Sequence, residues 1–138
     1  MPIVEAPVPM TGSSEFLSED EIKGAVADCL RASGHAVEVK WGHAHGIDID
    51  AKRSNKRIII EAKGEVALNP QQMNYFVGAF GELVREMDDP DAAYGLALPD
   101  KAQYRNLVKK LPALAREKMK LRVSMVSQTV DGFDVIER

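Results

Sequence analysis

The chain has 138 residues, 45% apolar and 28% charged, the proportions of a globular domain with one core rather than of a disordered segment. A formal net charge of −3 argues against a polycation that coats nucleic acid indiscriminately. No apolar run approaches the roughly 20 residues of a membrane span, and no basic stretch precedes an apolar one at the start, so neither a membrane partner nor a secretory signal is expected.

In chain order, residues 1–14 carry Pro2, Pro7, Pro9 and Gly12 and read as an extended or poorly ordered arm, with a single domain over 15–138. Ser18 with Glu21 three positions on forms a capping box, and the spacing predicts a helix from Ser18 to Ser33 with Ile22, Ala25, Val26, Cys29 and Leu30 on its apolar face. Gly34 ends it. Cys29, the one cysteine, reads as an inert core thiol and suits a reducing cytoplasm. Strands are expected near 36–41, 47–52 and 57–63, and Trp41, at the end of the first, reads as core.

Asn69 and Pro70 open a second helix whose buried side is Phe76, Val77, Phe80, Leu83, Val84 and Met87, with Leu68 and Met73 spaced as a hydrophobic staple. "AYGLALP" is a short apolar strand. A basic helix starts near Lys101 and is interrupted or restarted at Pro112. "LRVSMVS", a turn at Asp131–Gly132 and "FDVIE" make a terminal hairpin. The order αβββαβαββ defines an α/β protein, a mixed sheet flanked by helices.

The chemistry concentrates in "GIDIDAKRSNKRIIIEAKGE". Alternation puts Asp48 and Asp50 on one face of a strand, and Ile59, Glu61 and Lys63 on one face of the next. A turn centred on Ser54–Asn55 sets Asp48 opposite Glu61 and Asp50 opposite Ile59. Opposed carboxylates repel unless something compensates, and one hard divalent cation would do so. Lys63, one same-face step on, could reach the charge developing at a bound phosphate. Weighed against this is a surface hairpin of ordinary ion pairs, which the "RIII" run, suited to a strand buried on both faces, disfavours.

Asp48 followed after a hairpin by Glu61-Ala62-Lys63 resembles the core motif of the PD-(D/E)XK nuclease superfamily, as does the element order over 18–99. Ile47 stands where that motif has its proline. The resemblance implies a restriction-endonuclease-like or Holliday-junction-resolvase-like core. It also implies that Asp48, Glu61 and the Ala62 carbonyl bind Mg²⁺ (or Mn²⁺) and that Lys63 is catalytic. Relatives often add a helix-one acid, for which Glu19 suits better than the capping Glu21, and a helix-two Gln with an aromatic four residues on, matched by Gln71 and Tyr75 rather than Gln72 and Phe76.

Asp50 remains a supporting or alternative ligand, and His43 and His45 lie near the site mouth without zinc-site spacing. Lys52, Lys56, Tyr75, Lys101, Arg105 and Lys109 are the candidate nucleic-acid contacts. The expected function is a Mg²⁺-dependent cytoplasmic endonuclease acting on DNA, with a homodimer as its candidate assembly. The alternative is a catalytically silent module of the same fold used for binding or regulation.

Overall fold

Two apolar faces along the central strands dictate the architecture of the computed structural model, which describes residues 16–42, 46–65 and 69–138, without the side chains of 69–72. The elements are α1 (Glu19–Ala32), β1 (Ala36–Val39), β2 (Ile49–Arg53), β3 (Lys56–Ala62), α2 (Asn69–Arg85), β4 (Ala92–Pro99), α3 (Ala102–Lys109), α4 (Ala113–Met119), β5 (Leu121–Thr129) and β6 (Gly132–Glu137). They form one six-stranded sheet in the order β1-β2-β3-β4-β5-β6. The β3–β4 and β4–β5 pairs are parallel, crossing over through α2 and through α3–α4, while the remaining pairs are antiparallel.

β3 is buried on both faces from Ile58 to Ala62, and its isoleucines divide between two cores. Ile58 and Ile60 join Leu17, Ile22, Val26, Ile49 and Val126 beneath α1. Ile59 joins Phe76, Leu83, Leu96, Tyr104 and Met125 beneath α2 and α3. Each such side chain, fully buried, contributes about 1.5–3 kcal/mol by leaving water.

α1 starts as its sequence predicts. The Ser18 hydroxyl accepts the Glu21 N–H at 3.1 Å, and the Glu21 carboxylate accepts the Ser18 N–H at 2.9 Å. Gly34 at φ +93° follows its C-cap. Four sequence expectations are corrected. The buried face of α1 is Ile22, Lys23, Ala25, Val26 and Ala27, so Cys29 is exposed rather than a core thiol. On α2, Val77 and Val84 are 60% and 53% exposed, because the face that meets the sheet runs through Phe76, Ala79 and Leu83. Trp41 is 50% exposed and lies over Gly24 instead of entering the core. The terminal turn falls at Val130–Asp131, since Thr129 pairs with Gly132. The basic helix restarts at Pro112 as expected, giving two helices with Pro112 as the N-cap of the second.

Candidate active site

The site begins with the register of one hairpin. Ser54 and Asn55 connect β2 to β3, and Ser54 adopts φ +56°, the left-handed turn conformation usually left to glycine or asparagine. Ile49 pairs with Ile60 and Asp50 with Ile59, the register expected from the sequence, and one step further sets Asp48 opposite Glu61. Both carboxyls are buried, 6% and 4% exposed. Asp48 Oδ2 accepts the Ala62 N–H at 2.9 Å, clamping the residue before β2 onto the last residue of β3.

Glu61 Oε1 is buried without a hydrogen-bond partner. Burial, then contact with Asp48, then the charges of Asp48, Glu86 and Glu82 hold the Glu61 carboxyl well above the usual carboxylate range. Glu86, in the turn just past α2, is raised as well, by burial and then by the Asp48 and Glu82 charges, although contact with Glu61 pulls it back, and its own Oε1 is also unpartnered. Three carboxyls from three segments therefore converge where their charges are poorly dissipated, and a proton or a cation relieves them. Glu86 escaped the sequence reading because nothing in its spacing separates it from the solvated acids of an amphipathic helix.

α1 supplies the counter-charge through Lys23, which is fully buried. Its Nζ lies 3.1 Å from Glu19 Oε2, 3.5 Å from Asp48 Oδ1 and 3.8 Å from Asp20 Oδ1, and donates to the Lys40 carbonyl at 2.5 Å. Burial alone would lower the Lys23 pKa, but Asp48, then Glu19 and Asp20, outweigh it and hold it above the ordinary lysine value. Glu19, the expected helix-one acid, thus sits at the site's edge, joined to Asp48 through Lys23. The Glu19–Lys23 spacing of four residues is an ordinary surface-pair signal, which is why Lys23 was passed over.

Gly64 sets how closely α1 approaches. A Cβ there would lie 2.5 Å from the Glu19 nitrogen and 3.0 Å from the Leu17 carbonyl oxygen. Without one, Glu65 exchanges backbone contact with Leu17, its N–H reaching Leu17 O at 2.8 Å and its Oε1 accepting the Leu17 N–H at 2.9 Å. The first turn of α1 is thereby docked onto the end of β3.

Lys63 shares the Glu61 face. Its Nζ is 3.1 Å from Glu82 Oε1 on α2 and 5.8 Å from the centroid of the Tyr75 ring. Burial lowers its pKa, but the Glu82 contact and charge raise it further, so it is a firmly charged ammonium. Tyr104 supports this corner from below, its hydroxyl donating to Gly64 O at 3.1 Å. A cavity of about 300 Å³ lined by Gly46, Glu82, Arg85 and Glu86 opens beside the acids.

The remaining candidates divide by position. Asp50 is held by Arg57 through two contacts of 2.7 and 3.0 Å, and Arg57 also reaches Asp89 at 3.0 Å, so Asp50 has a structural partner away from Glu61. Lys101 and Arg105 lie at the Lys63 end of the sheet, where Lys101 is 3.8 Å from Glu65 and Arg105 pairs with Asp100 at 2.7 Å. Lys109 is exposed, at the last turn of α3. Lys52 and Lys56 are exposed at the opposite end of the hairpin, Lys52 roughly 13 Å along the strand from Asp48. Tyr75 is 41% exposed. The Gln71 and Gln72 side chains, the Leu68 half of the staple, His43, His45 and the arm 1–14 lie outside the described residues.

A divalent cation fits the Asp48–Glu61 pair chemically. Two buried hard oxygen donors, one without any partner, are what such an ion recruits. Among the described residues no group of three or more Asp, Glu, His or Cys side chains is disposed to hold an ion by itself, so backbone carbonyl, water and substrate oxygens would complete the shell.

Fold and site together define a mixed α/β sheet protein with a buried acid pair and a lysine at the end of its central hairpin. A solved structure of an XisH family protein from Nostoc punctiforme PCC 73102 is similar to it at a TM-score of 0.51, with 17% identity, over 78% of this chain and 91% of that one. At that identity the likeness is one of fold. No protein-family model matches the chain, and no curated protein does. No helix among the described residues is long and apolar enough to cross a membrane.

Proposed function

We propose that this protein is a divalent-metal-dependent nuclease of restriction-endonuclease-like fold that hydrolyses phosphodiester bonds in DNA. The observation that carries the reading is the pairing of Asp48 with a buried Glu61 whose Oε1 has no partner, one same-face step from Lys63. Asp48, Glu61 and the Ala62 carbonyl would hold Mg²⁺ or Mn²⁺. The ion supplies Lewis-acid polarisation of the scissile phosphate.

The chain's own residues do the rest. Asp48 and Glu61 fix the ion's place because the β2–β3 ladder fixes them. Lys63 offers its ammonium to the negative charge that builds on phosphorus, exchanging the Glu82 carboxylate for a phosphate oxygen. Glu19 lines the α1 side, and Gln71 with Tyr75 would meet the strand from α2. Lys101, Arg105 and Lys109 are suited to phosphate contact at one end of the hairpin, Lys52 and Lys56 at the other. A homodimer would present two such sites to two strands.

The second reading, a silent binding module, draws on the Lys63–Glu82 ion pair and on the engagement of Glu19 and Asp48 by Lys23. Incubation with plasmid, single-stranded and branched DNA in Mg²⁺ or Mn²⁺ separates the two. Wild type should nick at least one substrate, and Lys63→Ala should lose roughly 100-fold or more, the scale of removing a transition-state charge partner. DNA binding with no cleavage in either ion would favour the silent module, and equal cleavage by both proteins would remove Lys63 from the site.

A further inference from the structure

A cavity of about 310 Å³ lies under the C-terminal half of α1. Its floor is the face of β3 that carries Ile58 and Ile60, and alternation along the strand puts Glu61 on the other face. The sheet register explains why space is left there. Gly95 of β4 stands between its pairing partners Ile60 on β3 and Arg122 on β5, so the position at the centre of the floor has no side chain. It is not filled cheaply, since a Cβ there would lie 3.0 Å from the Arg122 carbonyl oxygen. Val26 and Leu30 of α1 and Val135 of β6 close the apolar part of the wall.

The polar part of the lining is rich in donors. Arg122 and Ser124 come from β5, and Cys29 from the exposed side of α1. Glu137 is the one carboxylate among the lining residues, and both its oxygens are turned to Arg122, at 2.5 Å from Nε and 3.3 Å from Nη2. Those two side chains are 45% and 52% exposed, so their attraction is weak and yields to a better-shielded partner. The carbonyls at the end of α1, which would repel an anion, are capped. Ser33 N–H and Oγ each reach Cys29 O at 3.2 Å, and His35 N–H and Nδ1 reach Leu30 O at 3.0 and 3.1 Å.

We propose that this cavity binds a small amphipathic carboxylate, its apolar body over Gly95 and its head on Arg122 and Ser124. At roughly 30 Å³ for each non-hydrogen atom, water's share of its own liquid, the space suits about ten such atoms. An apolar wall with a few convergent polar groups is the usual make-up of a small-molecule site. Burial of the body supplies affinity, and the guanidinium selects the head. The site is separate from the metal centre and does not depend on that reading.

Octanoate and phenylacetate, both of that size, are the probes, with octanol and octylamine as head-group controls. Cys29 is the chain's one cysteine, so its rate of reaction with a thiol reagent reports on this cavity. At least one carboxylate should slow that reaction and give a saturable heat by calorimetry, and the controls should bind at least tenfold more weakly. Which of the two carboxylates binds tells an alkyl body from an aromatic one. Arg122→Gln should weaken binding about tenfold or more, the scale of one charge-assisted hydrogen bond. Val135→Phe, which fills the cavity from β6, should abolish it. Failure of both carboxylates to bind would overturn the proposal, as would equal binding of octanol or octylamine, or binding that survives Val135→Phe. Should a variant fail to fold, the comparison of head groups on wild type decides.

Discussion

Glu61 is the residue on which the proposed chemistry turns, and its environment makes a pH-dependent statement about stability. Its carboxyl is raised above the usual value of 4.5, first by burial and then by Asp48, so the folded chain binds the proton more tightly than the unfolded one. That contribution is fully present below the unfolded value and is lost as pH rises through the folded one. Glu86 is raised in the same direction. The metal-free protein should therefore melt at a lower temperature at pH 8 than at pH 5, by a few degrees for each kcal/mol lost. Glu61→Gln, neutral throughout, should flatten that slope, and Mg²⁺ should stabilise wild type most at the higher pH, where it replaces a proton. Thermal melts at three pH values, with and without Mg²⁺, check both. A wild-type melting temperature that does not change with pH would show that Glu61 is not held protonated.

At the scale of elements, the site exists because the first turn of α1 and the end of β3 touch. Gly64 permits that contact, with no room for a Cβ against the Glu19 and Ser18 backbone. Gly64→Ala must push α1 away, at a cost of about 1–3 kcal/mol as an overpacking change. The movement should also draw Lys23 and Glu19 from Asp48. Denaturant unfolding should report the lost stability, and Mn²⁺ affinity should fall with it. A variant that keeps both would show that the docking of α1 is not needed. Ile59→Ala on the same strand removes a fully buried side chain of the core beneath α2, opposite Asp50, and should cost about 2–5 kcal/mol in the same denaturant unfolding.

Over the whole molecule, charge is sorted by position rather than by total. Lys101 and Arg105 gather at the Lys63 end of the sheet, whereas Lys52 and Lys56 are a strand's length away. If the phosphate track crosses the Lys63 end, Lys101→Ala should weaken DNA binding and lower the log–log salt slope by about 1, with a smaller effect from Lys56→Ala. Equal effects would mean that the track runs the length of the hairpin.

The hairpin was legible in the sequence because local rules govern it. Period-two alternation, a polar two-residue turn and a run of isoleucines together specify which side chains face each other. The capping box, Gly34 and Pro112 were legible for the same reason, since caps depend on neighbours within a few residues. Lys23, Glu82 and Glu86 were not, because each is a charged residue on a helix or just past its end, and only the helix's rotation against the sheet decides whether it faces water or Asp48. Cys29, Val77 and Val84 failed from the same cause in reverse. A half-turn of ambiguity in an apolar stripe moves such residues from core to surface. Sequence alone determined the Asp48–Glu61–Lys63 constellation, because strand register is set by local periodicity. The tertiary structure alone decided the charges that surround it, because those arrive on α1 and α2 from long range, and burial, not spacing, turns an ordinary surface lysine into the site's resident cation.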